Sequence, residues 1–168
     1  MTTRTLEDKH RLTVAADVAA RIVDVTVIAN KPISNLRMQK LLYALQREHF
    51  RRYSKPLFED DFHAWMTGPV IPSVYRAYAK WGGSPIPSAN AYRWENIFTG
   101  ERERVEALQP EQAAFVDRIV KSWCAHPILN PRDIACKPGG AWEQIWRRGE
   151  GYNCVIPKCL IKKEGERA

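Results

Sequence analysis

The sequence is poor in the patterns that carry catalysis. Its nine glycines never fall into GxxxxGK or GxGxxG, so the loops that cradle nucleotide phosphates are missing. Neither HExxH nor GxSxG occurs, which removes the common zinc-hydrolase and serine-hydrolase signatures. The four cysteines, Cys124, Cys136, Cys154 and Cys159, do not form paired CxxC spacings and read as reduced thiols rather than metal ligands. No apolar run reaches the roughly 18–20 residues needed to cross a bilayer. The opening MTTRTLEDKHR lacks the apolar core of a signal peptide, and a cytoplasmic location without a membrane partner is expected. No catalytic residue, metal or cofactor is assigned, and the chain is not expected to be an enzyme. The one acid–base set worth noting is His63 beside the carboxylates Glu59, Asp60 and Asp61.

What is present is a mixed, basic, ordinarily hydrophobic chain. In 168 residues there are 26 Lys and Arg against 19 Asp and Glu, a net charge of +7, and 45% of residues are hydrophobic. This length suits one domain with one core over residues 1–168. The basic balance permits nucleic acid or an acidic protein as a partner, although the cations are spread over the whole chain.

The stretch Ser34 to Tyr53 predicts a helix of about five turns, with Ser34 or Asn35 as N-cap. Met38, Leu41, Leu42, Leu45, His49 and Tyr53 share one arc. Gln39, Tyr43, Gln46 and Phe50 form a second stripe beside it, and Lys40, Arg47 and Arg51 form a basic third. With two stripes to bury, this helix is the expected spine of the core. Before it, Thr13 to Ala29 reads as a helix capped by Thr13 and stopped at Asn30-Lys31-Pro32.

After the spine, Gly68-Pro69 predicts a turn, and Pro72 opens a helix running to Trp81 that Gly82-Gly83 stops. Tyr92, Trp94 and Phe98 have strand-like spacing, and a small β-hairpin is expected near residues 92–106. Pro110 opens another helix, which His126-Pro127 ends. Asn130-Pro131 starts a short one. Trp142, Ile145 and Trp146 mark an amphipathic turn or two, and residues 160–168 read as a frayed tail. The fold class is mainly α.

Several of these segments together resemble a known family. Asn35 and Leu36 lead into Leu41-Leu42-Tyr43, followed by Lys55-Pro56-Leu57-Phe58. Then Ala64-Trp65 leads through Gly68-Pro69-Val70 to Val74-Tyr75, and a late Trp142 completes the order. This arrangement resembles the Panacea domain, the family of SocA-like antitoxins and phage-associated GepA-like proteins. The resemblance implies a mostly helical antitoxin of a bacterial or prophage toxin–antitoxin pair. Its partner would be a cognate toxin, held directly or delivered to a ClpXP-type protease as a proteolytic adaptor. The chain departs from the family where members carry a Thr-His pair before Pro-Trp: here the stretch is Ala135-Cys136-Lys137 through Ala141-Trp142. A structural role for Trp142 follows.

Trp65, Tyr75, Tyr78, Trp81, Tyr92 and Trp94, with Arg47 and Arg51, are the candidate partner-binding residues, because Trp, Tyr and Arg are favoured interface anchors. The alternative function is a DNA-binding regulatory module of a mobile element, motivated by the net charge.

Overall fold

The computed structural model describes residues 13–126 and 130–168. The amino-terminal stretch and Pro127 lie outside the described residues.

Helix α2 (Asn35–Tyr53) forms where the periodicity places it, and Ser34 caps it by accepting from the Arg37 N–H. Met38, Leu41, Leu42 and Leu45 are all but fully buried. At its end Ser54 takes a left-handed conformation, and its N–H donates to the Phe50 carbonyl. Around this spine pack α1 (Ala15–Ile28), the short α3 (Pro72–Ala77), α4 (Pro110–Ala125), α5 (Pro131–Ala135), α6 (Ala141–Trp146) and α7 (Lys158–Glu166). Helix α2 lies against α5 and α7, while α1 lies against α4. The expected helix to Trp81 is split: α3 ends at Ala77, and Ala79–Trp81 is a 3-10 turn.

Strands β1 (Phe62–Trp65), β2 (Gly68–Val70) and β5 (Val155–Ile156) form an antiparallel sheet in the order β2-β1-β5. His63 pairs with both Val70 and Val155. The Gly68-Pro69 turn is therefore corrected: the reversal falls at Met66 and Thr67, and Gly68-Pro69-Val70 is a buried strand. Strands β3 (Tyr92–Glu95) and β4 (Arg102–Arg104) pair antiparallel with an irregularity between Tyr92 and Trp94.

Two terminal expectations are also corrected. Thr13 does not cap α1. Its hydroxyl donates to Gln112 at 2.8 Å, and the Ala15 N–H is taken by Asp60 Oδ2 at 2.7 Å. The supposed frayed tail is helix α7, with Ile161, Glu164 and Gly165 buried against the spine. At Gly165 a side chain has no room, because a Cβ would stand 2.7 Å from the Arg47 carbonyl oxygen. The absence of that Cβ lets α7 press directly on the α2 backbone.

Candidate functional site

The family-like residues converge on one polar seam along α2. Asn35 Nδ2 donates to the Tyr75 carbonyl at 2.8 Å, and Asn35 Oδ1 accepts from Gln39 Nε2 at 3.2 Å. Gln39 Oε1 accepts the Ile71 N–H at 3.0 Å. One turn on, Lys40 Nζ donates to the Pro69 carbonyl at 3.1 Å. Tyr43 OH donates to Glu164 Oε2 at 2.8 Å, and the same oxygen accepts the Ala141 N–H at 2.8 Å. Gln46 accepts the Leu57 N–H at 2.7 Å and donates to the Phe58 carbonyl at 2.9 Å. Buried polar groups persist when their partners are made, and most of these bonds reach backbone of the neighbouring segments. The seam ties the spine to the KPLF loop, to β2, to the start of α3 and to the α6–α7 corner.

The basic stripe of α2 divides in three. Arg51 is exposed and makes two bonds to Glu48. Arg47 is half-buried and pairs with Glu164 at 3.5 Å. Lys40, on the same basic stripe, is instead 5% exposed. Burial is the main cause that lowers its pKa from 10.5 to about 8; the Cys136 sulfur acts the other way and the Arg132 charge adds to the lowering. Space for its ammonium comes from Gly68, whose φ is +114°. A Cβ there would stand 2.7 Å from both Lys40 Nζ and Cys136 Sγ. Burial also holds Tyr43 well above the ordinary phenol range, and its bond to Glu164 adds to this.

The candidate partner-binding residues do not form one patch. Tyr78 is core, and its hydroxyl accepts the Asn90 N–H at 3.0 Å. Trp65 and Tyr75 meet edge to face with centroids 5.1 Å apart, and Trp65 Nε1 donates to Asn153 Oδ1 at 3.1 Å. Trp142 donates to the Trp65 carbonyl at 2.9 Å and stacks on Trp146. Trp81 is half-buried against the core. Leu41, Leu42, Leu57 and Val70 are core, and Pro56 is half-buried.

Tyr92 and Trp94 stand apart from these on the β3–β4 hairpin. Tyr92 lies under Arg102, 4.5 Å from its ring centroid, and Trp94 is half exposed with Nε1 bonded to Glu103. The hairpin is fixed to α1 by Arg93, which bonds Asp17 at 2.9 and 2.5 Å and Glu103 at 2.8 Å. The Glu106 N–H completes Asp17 at 3.0 Å. At the tip, Ile97 is 83% and Phe98 93% exposed. Neither stands among the binding residues expected from the sequence, and the strand-like spacing expected through Phe98 is corrected: β3 ends at Glu95 and Phe98 lies in the turn.

The acid–base set is not assembled. His63 donates to the Asn153 carbonyl at 3.0 Å, Asp60 caps α1, and Asp61 pairs with Lys158. Among the described residues, no three His, Cys, Asp or Glu side chains are grouped to hold a metal ion, and no helix is long and apolar enough to cross a membrane.

Residues 38–142 match the model of the SocA-like antitoxin family, Panacea domain. The chain is also 40% identical over 140 residues to Antitoxin SocA of Caulobacter vibrioides, covering 83% of this chain and 73% of that protein. No solved structure shows a significant match. The matched span takes in the seam from Gln39 through β1 and β2 to Trp142, and with the 40% identity over most of its length the chain belongs to the SocA-like antitoxin family, as a Panacea-domain protein.

Proposed function

We propose that this protein is an antitoxin that neutralises a protein toxin by binding it, with the β3–β4 hairpin as the main contact. Family membership supports the antitoxin role, and the exposed hairpin tip carries the choice of surface. Phe98 and Ile97 offer two large apolar side chains to solvent, flanked by Trp94. Aromatic and apolar anchors of this kind supply most binding energy when a partner covers them. The mechanism is recognition, and the site of action is the cytoplasm. Toxin–antitoxin recognition is favoured over DNA binding by family membership and by the apolar hairpin tip, and several cations are already matched by acids: Arg21 by Asp117, Arg47 by Glu164, Arg52 by Glu48, and Arg93 by Asp17. A nucleic-acid surface needs its cations free to meet phosphates.

The test is co-expression with the product of the neighbouring reading frame, scoring growth and co-purification for the wild type and for Ile97→Ser/Phe98→Ser. Rescue with a stable complex, lost in the double variant, is the expected result. Rescue with disappearance of the partner protein and no complex would establish proteolytic delivery instead. A double variant that rescues and co-purifies like the wild type would remove the hairpin from the contact.

A further inference from the structure

Away from the hairpin, a groove of about 530 Å³ opens between the start of α2, the β1–β2 reversal and the start of α5. Its volume lies within the range of roughly 300–1,000 Å³ usual for ligand sites. Three cations line it, Arg37, Lys40 and Arg132, and no acidic side chain does. Asp133, on the same short helix as Arg132, is exposed and is not part of the lining. The rim is apolar: Leu36 is 39% and Met66 75% exposed.

Lys40 makes this arrangement costly in the free protein. Its ammonium is buried and meets one carbonyl, that of Pro69. Among the described residues it forms no ion pair. The Arg132 charge opposes it, and the neighbour that favours it, Cys136, is a thiol that burial holds toward its neutral form. A buried charge is normally matched by an opposite one. A carboxylate entering the groove would supply the missing charge and bridge Lys40 to the two arginines, which suit carboxylate geometry.

We infer that this groove is a docking site for an acidic peptide segment of a partner protein, an Asp or Glu flanked by apolar residues, with the carboxylate drawn toward Lys40 and the apolar neighbours lying on Leu36 and Met66. A phosphate backbone fits less well, because the cations sit in one short pocket between apolar walls rather than along a stripe. The site is separate from the hairpin and does not depend on the antitoxin reading.

The experiment is a titration of the full isotope-labelled chain, followed by amide NMR shifts, with the peptide acetyl-Leu-Glu-Leu-Asp-Leu-amide and its Gln/Asn counterpart at up to millimolar concentration. The acidic peptide should shift the amides of Leu36, Arg37, Thr67 and Arg132. Its affinity should fall at least tenfold in the uncharged peptide, in Lys40→Met and in Arg37→Glu/Arg132→Glu. The second variant changes only exposed side chains and guards against a folding effect at Lys40. Equal binding of the two peptides, or no shift at these amides, overturns the proposal. So does tighter binding of a ten-residue oligothymidylate at the same amides, or their shift on self-association alone. The readout needs no toxin. A chain that rescues no toxin but shows the expected pattern keeps the groove and loses only the antitoxin reading.

Discussion

Lys40→Met should make the free protein more stable while removing the charge at the groove floor. The native ammonium has a pKa of about 8 against an ordinary value of 10.5. At about 1.36 kcal/mol per unit, keeping it charged at neutral pH costs about 3 kcal/mol. Methionine fills similar space without that cost. The change also gives up the hydrogen bond to the Pro69 carbonyl and leaves an oxygen short of a partner, a loss of about 1–2 kcal/mol. The net expectation is a gain of about 1–2 kcal/mol at pH 7. The pH dependence gives an independent check. Because the folded pKa is the lower one, the unfolded chain holds the extra proton between pH about 8 and 10.5. Wild-type stability relative to the variant therefore rises with pH across that window. By about pH 9.5 the charge cost falls to about 1 kcal/mol, and the advantage of the variant should vanish. Urea unfolding followed by tryptophan fluorescence at the two pH values measures both effects. A variant destabilised at pH 7, or a gap that does not change with pH, would refute the assignment of Lys40 as a buried and unmatched charge.

Gly68→Ala should cost more than about 2 kcal/mol, since both its positive φ and the Cys136 and Lys40 atoms 2.7 Å from a Cβ oppose it; an unchanged urea midpoint would contradict the packing. Arg93→Met should destabilise by about 3–5 kcal/mol because it leaves Asp17 charged and buried, and a double-mutant cycle with Asp17→Asn should recover much of the loss. His49, sandwiched between Tyr53 and Phe115 with Nδ1 donating to the Lys55 carbonyl, has its pKa lowered below 6.5 by burial. The unfolded chain takes up that proton first, so this contribution is complete above about pH 6.5 and is lost as the pH falls toward the folded value. Thermal melts between pH 7 and 5 should show a flatter profile for His49→Gln than for the wild type.

The spine was legible because a helix writes its burial into a local period. Ser34, the Met38–Leu45 arc and the lack of glycine or proline within Asn35–Tyr53 suffice to place α2. The three-stranded sheet was not legible. Its strands are four, three and two residues long, and β1 finds β5 about ninety positions later. Pairing at such distance leaves no mark on either segment. Gly68-Pro69 looked like a turn because Gly-Pro is turn chemistry, whereas the local reversal to β1 falls one step earlier, at Met66 and Thr67. The basic stripe shows the same limit more sharply. Lys40, Arg47 and Arg51 are alike in spacing, yet β2 and α5 cover the first, α7 pairs with the second, and water meets the third. A helical period states which residues share a face; what covers that face is written in other segments. The tail was misread for this reason too, since α7 is held by its buried contacts with α2 and not by a strong propensity of KCLIKKEGE.

Most of the family signature is buried scaffold, although Leu36 borders the proposed groove and Gly68 makes room for the Lys40 ammonium beneath it. Asn35, Tyr43, Gly68, Pro69 and Val70 are buried, and the polar ones are already occupied by Tyr75, Gln39 and Glu164. A side chain whose bonds are made inside the fold has little left to offer a partner, so the motif that reveals membership specifies the scaffold. On the proposed reading, partner choice rests on residues the scaffold leaves over. Ile97 and Phe98 are such residues, held outward because the Arg93–Asp17 bridge anchors the hairpin from below. Arg37 and Arg132 are others, set around a buried lysine that forms no ion pair among the described residues. The hairpin depends on no hydrogen bond of the α2 seam, so its tip can change without disturbing the spine. The groove has no such freedom, because Lys40 belongs to the seam and lines the groove at once, and its place depends on the missing Cβ of Gly68.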